Sequence, residues 1–542
     1  MKILIVGGVA GGASAAARMR RLNEQAEIIL FERGEFISFA NCGLPYYIGG
    51  VIAKREKLFV TSKKKMENRF NIDVRNLSEV MKIDRVNKKV TVKNLVSSEI
   101  YEEEYDKLIL SPGAQPIKPR FEGIDDAPVF TLRNIPDTDK IYNHIEKNNV
   151  KRAVVIGGGF IGIEMAENLS HRGIKVDVID MQNQVMAPFD FEMAQFLHQE
   201  LIDNGVNLHL EESVSKFDGN TVVTNKRRIA TDLIILAIGV RGETTLAVDS
   251  GLEVNRNIVV NNQLQTSDPD IYAIGDAIEV KHFVSKMSTI IPLAWPANRQ
   301  GRLVADHISG RKISYLGTLG TSVAKVFNLT AASTGLNEKA LIDSDIAYSV
   351  VFVNKNNHAS YYPNASEIDL KVIYDKTSKK VLGAQAIGYE GVDKRIDVIA
   401  TAIKFGAKID ELSEIEIAYA PPFNSAKDLV NIAGYIGENQ LNGYNYYMWQ
   451  DVEKHISNNE VIVDVRTKEE FELGNIPTSK NIPIDEFRTR LDELPKDKTI
   501  YLYCEVGQRA HIAASILMSK KINSENLSGG YNVYKQGMYS WN

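Results

Sequence analysis

Two cysteines occur in 542 residues, Cys42 and Cys504. Over 460 residues separate them, a poor arrangement for a structural staple, so each is read as a thiol with its own chemistry. Cys42 lies in Ser38-Phe-Ala-Asn-Cys-Gly-Leu-Pro-Tyr-Tyr-Ile-Gly-Gly50. There Ser38, Ala40, Asn41 and Gly43 are small or polar and leave room for a bulky partner on the sulfur. If Asn41 caps a short helix beginning at Cys42, the helix N-terminus favours the thiolate. With no cysteine beside it, Cys42 must cycle through a mixed disulfide, a persulfide or a sulfenic acid. Cys504 opens the six-residue loop Cys504-Glu505-Val506-Gly507-Gln508-Arg509, which follows an apolar strand, Ile500 to Tyr503, and leads into a helix. Backbone N–H groups wrapped round that sulfur, with Arg509 at the far end, suit a thiolate carrying an added, negatively charged sulfur. The bland alternative is a buried, inert cysteine.

The elements that position Cys42 read as a nucleotide-binding pattern. Residues 2–6 form an apolar run of the buried parallel type, followed by Gly7-Gly8-Val9-Ala10-Gly11-Gly12 and an alanine-rich helix, Ala13 to Arg21. A second strand, Glu27 to Phe31, ends at Glu32, twenty residues after Gly12. In such a unit the loop offers N–H groups to a pyrophosphate and the acid accepts from ribose hydroxyls. The pattern recurs at Ala153–Ile156, Gly157-Gly158-Gly159-Phe160-Ile161-Gly162, a helix from Ile163 to Arg172, and a strand Lys175–Ile179 ending at Asp180. Leu108–Ala114 and Leu233–Gly239 are apolar strands running into glycine, and Ile271-Tyr-Ala-Ile-Gly275-Asp276 is a strand ending in Gly-Asp. A carboxylate there can meet a flavin's ribityl hydroxyls, or cap a helix.

Two fingerprints, a strand-Gly-Asp motif and a single early cysteine resemble the two-dinucleotide flavoprotein disulfide reductases. The Ser38–Gly50 stretch is similar to their coenzyme A-disulfide reductase branch. The resemblance, over roughly 1–440, implies FAD at Gly7, Gly8, Ala10, Gly11, Gly12, Glu32, Arg33, Asn41, Ala114, Gly275 and Asp276. It implies NAD(P)H at Gly157, Gly159, Gly162 and Asp180. Ser14, Arg18, Arg21, Ser38, Asn41, Arg299 and Lys427 match positions that contact coenzyme A. Arg18 and Arg21, at i and i+3, share a helix face and could hold phosphates; the plainer reading is a solvated face. Tyr361 and Tyr419 match tyrosines that reach the other subunit's active site, which implies a homodimer with shared sites; otherwise they are core aromatics. The final segment resembles a rhodanese domain through Asp464-Val465-Arg466, Glu470-Phe471, the Cys504–Arg509 loop and Leu527-Ser528-Gly529-Gly530, with Asn475 where that family usually has histidine. A phosphatase-like loop would be one residue longer, and a docking-only rhodanese fold would not need Cys504.

The expected architecture is α/β: an FAD domain at 1–115 and 241–321, an NAD(P)H domain at 116–240, an α+β dimerisation domain at 322–438, a polar linker at 439–447 and an α/β rhodanese domain at 448–542. Hydrophobic content of 44%, charged content of 25% and a net charge of −5 suit a soluble protein without a nucleic-acid surface. No apolar run approaches the length of a membrane span, the N-terminus lacks a cleavage site, and a cytoplasmic location follows. No metal site is indicated. The chemistry expected is NADH-dependent reduction, with NADPH possible, of coenzyme A persulfide, coenzyme A disulfide or polysulfide at Cys42, with sulfane sulfur handled at Cys504. Two other classes compete: a flavoenzyme reducing oxygen or peroxide through a sulfenic acid, and a non-catalytic persulfide carrier or sensor.

Overall fold

The computed structural model describes residues 1–539, so the last three residues of the expected C-terminal domain lie outside the described residues. The chain forms two compact units, Met1–Asn183 with Gly205–Gly320, and Gln184–Asn204 with Thr321 onward.

The first unit holds two five-stranded parallel sheets. One runs Ile271–Ala273, Lys107–Leu110, Lys2–Val6, Glu27–Glu32, Asp73–Asn76. The other runs Asn207–His209, Lys175–Ile179, Arg152–Ile156, Leu233–Leu236, Val129–Phe130. Their central strands are covered on both faces, which is why they read as unbroken apolar runs: Ile3, Leu4 and Ile5, like Val154 and Val155, expose nothing. Both expected helices begin earlier than their glycines suggested, at Ala10 and Phe160. Two strands end sooner than expected. The first stops at Leu110 because Pro112 and Gly113 turn the chain, Gly113 at φ +76°; the second stops at Leu236, ahead of Gly239 at φ +116°.

The second unit carries a five-stranded antiparallel sheet, in the order Ser322–Val326, Leu329–Gly335, Val381–Gly388, Glu367–Asp375, Tyr348–Asn356. Helices Val392–Phe405 and Leu429–Leu441 belong with it. Residues 184–204, expected to stay with the second nucleotide fold, pack here instead. The reason is a buried ion cluster in which fully enclosed Lys371 bonds Asp190 at 2.7 Å, Glu338 at 2.5 Å and also Glu192. A charge taken out of water is tolerated only when so compensated. The same acids could be read as a metal cluster, but the lysine already supplies the cation.

The C-terminal sheet is parallel, in the order Asn445–Tyr447, Ser524–Leu527, Ile500–Tyr503, Val461–Asp464, Lys480–Asn481. Its edge strand 445–447 falls inside the expected linker 439–447, and the preceding helix reaches Leu441. Tyr446 and Tyr447 explain this: they read as polar linker residues in sequence, yet Tyr447 is buried in the C-terminal core. Only residues 442–444 remain to connect the two elements.

Candidate active sites

The glycine loop after strand 2–6 is shaped by contacts that leave no room for side chains. A Cβ on Gly12 would sit 1.9 Å from the Gly7 carbonyl oxygen, and one on Gly7, at φ +98°, would sit 2.0 Å from the Ser111 oxygen. Glu32 is held by two N–H donors, Gly8 to Oε2 and Gly34 to Oε1, both at 2.8 Å. Its remaining lone pairs are free to accept from ribose hydroxyls. Ala10 opens the helix, and Gly11 is packed between the Ser111 hydroxyl and Ile274. Arg33 is exposed, 3.5 Å from Glu79, and Ala114 is buried at the start of a short strand. Gly275, at φ +77°, makes the turn that presents Asp276. Burial raises the Asp276 carboxyl above its ordinary pKa, with Arg133 opposing.

The second fold repeats the device. A Cβ on Gly162 would meet the Gly157 carbonyl at 1.9 Å, whereas one on Gly159 would meet nothing within 4 Å. Gly159 is therefore not required by contacts within the protein. Asp180 accepts from the N–H of Gly158 at 2.6 Å and of Gln182 at 2.8 Å.

Around Cys42 the structure differs from expectation. Asn41 does not cap a helix: it lies inside a 3₁₀ turn, Asn41–Gly43, that passes directly into a one-turn helix, Leu44–Ile48. Pro45, at the second position of that helix, has no N–H for a cap to satisfy. The Asn41 Oδ1 is buried without a partner, an atom awaiting a ligand donor. Ser38 sits at φ +47°, its N–H bonded to the Gly8 carbonyl at 2.9 Å. This strained residue ties the cysteine segment to the glycine loop.

Cys42 is exposed, yet its thiol is pushed above its ordinary pKa by its low-dielectric surroundings, then by the carboxylates of Glu164 and Asp276. Glu164 itself is raised by burial to about 7 and accepts from the Tyr46 hydroxyl at 3.3 Å. Sequence reasoning missed both Glu164 and Tyr46. Glu164 stands two residues after the last fingerprint glycine, but its facing the Cys42 segment is a tertiary fact.

The candidate substrate residues divide. Arg18 is already paired with Asp306, at 2.9 and 2.6 Å, and so does not present a free charge beside Arg21. Arg21 is exposed, with its guanidinium over Phe70. The Ser14 hydroxyl bonds Asn298 at 2.5 Å, and Arg299 is exposed on the 294–308 helix. In the second unit Lys427 is exposed, with its carbonyl accepting from Lys355 at 2.8 Å. Tyr361 and Tyr419, both exposed rather than core aromatics, touch hydroxyl to hydroxyl at 3.0 Å across 58 residues of sequence.

Cys504 is buried where strand 500–503 meets helix Gln508–Ser519. The Gly507 N–H donates to its Sγ at 3.1 Å, and Asn526 Nδ2 bonds the Gly507 carbonyl at 2.9 Å. Arg509 lies in the helix's first turn; its charge is held first by Glu470 and then by Cys504. Asn475 bonds the Phe471 carbonyl at 3.1 Å, away from the loop.

Three family models match the chain: pyridine nucleotide-disulphide oxidoreductase over residues 1–301, the dimerisation domain of that family over 321–429, and a rhodanese-like domain over 448–537. The coenzyme A disulfide reductase of Staphylococcus aureus (strain JH9) is 39% identical over 438 residues, 80% of this chain and 99% of that protein. The structure of reduced Bacillus anthracis CoADR-RHD is 52% identical with a TM-score of 0.98, covering 99% of this chain and 98% of that one. A NAD-dependent persulfide reductase from A. fulgidus is 35% identical with a TM-score of 0.91, over 98% and 100% of the two chains. Two dinucleotide folds, a lone thiol beside them and a sulfur-cradling loop in a separate parallel sheet thus have one common setting: this chain belongs to the pyridine nucleotide-disulphide oxidoreductase family, with that family's dimerisation domain and a C-terminal rhodanese-like domain.

Proposed function

We propose that this protein uses NADH, in preference to NADPH, to reduce coenzyme A persulfide, coenzyme A disulfide and polysulfide through Cys42, while Cys504 carries sulfane sulfur. The observation that carries the reading is the solitude of Cys42. It is exposed, and the chain's one other cysteine is buried in the C-terminal fold. A lone thiol cannot close an internal disulfide, so its reductive cycle runs through sulfur that its substrate brings or through a sulfenic acid, and a sulfur-handling C-terminal domain favours the first. The relatives named a coenzyme A disulfide reductase and a persulfide reductase support that class of substrate.

FAD, bound in the first fold, supplies the two-electron chemistry that NADH drives. The Gly7–Gly12 loop holds the pyrophosphate at the start of helix 10–22, Glu32 the ribose and Asp276 the ribityl chain. Asn41 offers its orphaned Oδ1 to a donor on flavin or substrate. Gly157, Gly159 and Gly162 hold NADH, with Asp180 accepting from its 2′-hydroxyl. The Cys42 thiolate attacks the substrate disulfide or persulfide, a new S–S bond forms at Sγ, and a thiolate leaves. Tyr361 and Tyr419 of the second subunit in a homodimer orient the substrate or protonate that thiolate. The protein acts in the cytoplasm; no helix among the described residues is long and apolar enough to cross a membrane.

The test is an absorption spectrum during anaerobic NADH titration. NADH should bleach the yellow band, and coenzyme A disulfide or persulfide should restore it with release of thiol. Rapid reoxidation by air with no thiol present would favour the oxygen-reducing class, and absence of a flavin band would favour the carrier.

A further inference from the structure

The Cys504 loop is electrically balanced. Arg509 is the only cation among its six residues. That guanidinium is committed: Nη1 bonds Glu470 Oε2 at 2.6 Å and Nη2 bonds Oε1 at 2.7 Å. The loop's one carboxylate, Glu505, takes Arg466 Nη1 at 3.0 Å and Lys535 Nζ at 3.3 Å. Arg466 is in turn held by Asp464, Nη2 to Oδ2 at 2.7 Å. Three cations thus pair with three carboxylates, and Cys504 itself exposes nothing to solvent.

We infer that Cys504 takes its sulfur from a persulfidated thiol, R–S–SH, and discriminates against the dianion thiosulfate, with Glu470 setting that selectivity by neutralising Arg509. This rests on the reading of Cys504 as a sulfane carrier. The thiolate attacks the outer sulfur of R–S–SH, and a bond forms between that sulfur and Sγ. The old S–S bond breaks, and R–S⁻ leaves with its electron pair; the proton stays on the transferred sulfur or passes to water. No oxidant or reductant is consumed. With thiosulfate the same displacement releases sulfite, and the encounter brings two negative charges to a third.

Two effects then act against thiosulfate. A donor must shed water to reach a buried sulfur, and a doubly charged donor loses more hydration than a neutral or singly charged one. The loss is recovered only by unpaired cations, and the loop's arginine is paired bidentately with Glu470, so that only part of its charge is left for Cys504. What remains is the Gly507 N–H, the first turn of helix 508–519 and the Arg509 charge that Glu470 does not offset, enough for a single negative charge on Sγ or on the sulfur attached to it.

The test loads the full-length flavoprotein, without NADH, with glutathione persulfide or with thiosulfate. Addition of one sulfur to the Cys504 peptide is followed by mass spectrometry. The persulfide should load faster by about 100-fold or more, the scale of an uncompensated charge in a partly desolvated site. Glu470→Gln keeps an oxygen for the Thr467 N–H that Glu470 accepts at 2.9 Å, and frees the Arg509 charge. It should speed thiosulfate loading about 10-fold and leave persulfide loading within a few-fold. Glu505→Gln, which releases Lys535 and one nitrogen of Arg466 while Asp464 still holds the rest of that guanidinium, should narrow the ratio in the same direction and serves if the first variant folds poorly. Equal loading by both donors in the unaltered protein, or an unchanged ratio in both variants, would overturn the inference. Loading by neither donor would remove the sulfane-carrier reading and the inference with it.

Discussion

Cys42 and Cys504 are both single thiols at strand-to-helix transitions, yet their surroundings are built in opposite ways. The Cys504 site is local: strand, six-residue loop and helix are contiguous, the sulfur is buried, and a backbone N–H reaches it at 3.1 Å. Cys42 is assembled from distant stretches, with Ser38 pinned to Gly8, Glu164 on the second fold's helix and Asp276 on a strand-end turn. Its sulfur is exposed, Asn41 Oδ1 lacks a donor, and the nearest charges are carboxylates that oppose the thiolate. The difference teaches that the first thiol takes its electrostatics from residues far apart in sequence, while the second takes a backbone donor from its own loop.

The sharpest way to break this comparison is to remove the first thiol. Cys42→Ser should lower NADH-driven reduction of coenzyme A persulfide by at least about 1000-fold, the scale for losing a covalent nucleophile, while the FAD spectrum stays normal. Residual turnover within about tenfold of wild type would mean that electrons reach persulfide by another route.

Next in size is the tyrosine pair. Tyr361→Phe with Tyr419→Phe should cost about 100-fold in kcat/KM, the range of a positioned proton donor. Heterodimers of that variant with Cys42→Ser should regain activity in steady-state assays. No recovery above either parent would contradict sites shared between subunits.

A smaller effect concerns the nicotinamide. In the proposed nicotinamide site Asp180 would turn its carboxylate toward the 2′ position, and Met181, Gln182 and Asn183 supply no arginine for a phosphate there. NADH should exceed NADPH by about tenfold or more in kcat/KM; parity or reversal would refute the assignment.

Smallest is the tuning of Cys42 itself. Its raised thiol pKa means that the thiolate is scarce near neutral pH and accumulates as pH rises through the alkaline range. Alkylation by iodoacetamide should therefore accelerate with pH up to that pKa and level off above it. Glu164→Gln removes one opposing carboxylate and should speed alkylation at pH 8 by about threefold, since each tenfold change in ionisation is about 1.4 kcal/mol. An unchanged rate would show that Glu164 does not contribute to the raised pKa.

Much of this was legible in sequence because the relevant signals are local. A buried strand, a glycine loop and an acid after the next strand are read within 35 residues, and the Cys504 loop within six. What sequence hid was tertiary. Arg18 and Arg21 share a helix face, but nothing near them announces that Asp306 neutralises one. Asn41 is a good helix cap by residue type, and only the 3₁₀ turn and Pro45 remove the role. The excursion 184–204 follows Lys371, whose three acids are scattered between residues 190 and 338. Tyr446 and Tyr447 hide a sheet edge because amphipathic tyrosines suit both a linker and a strand.

The most direct test of separate tasks for the two cysteines is NADH oxidation by coenzyme A disulfide, measured side by side in Cys42→Ser and Cys504→Ser. The account predicts no detectable oxidation in the first and a rate within about twofold of wild type in the second, the scatter expected of a distant and independent site. Loss of coenzyme A disulfide reduction in Cys504→Ser, with flavin content and fold unchanged, would contradict it and make the C-terminal loop part of the flavin-linked site.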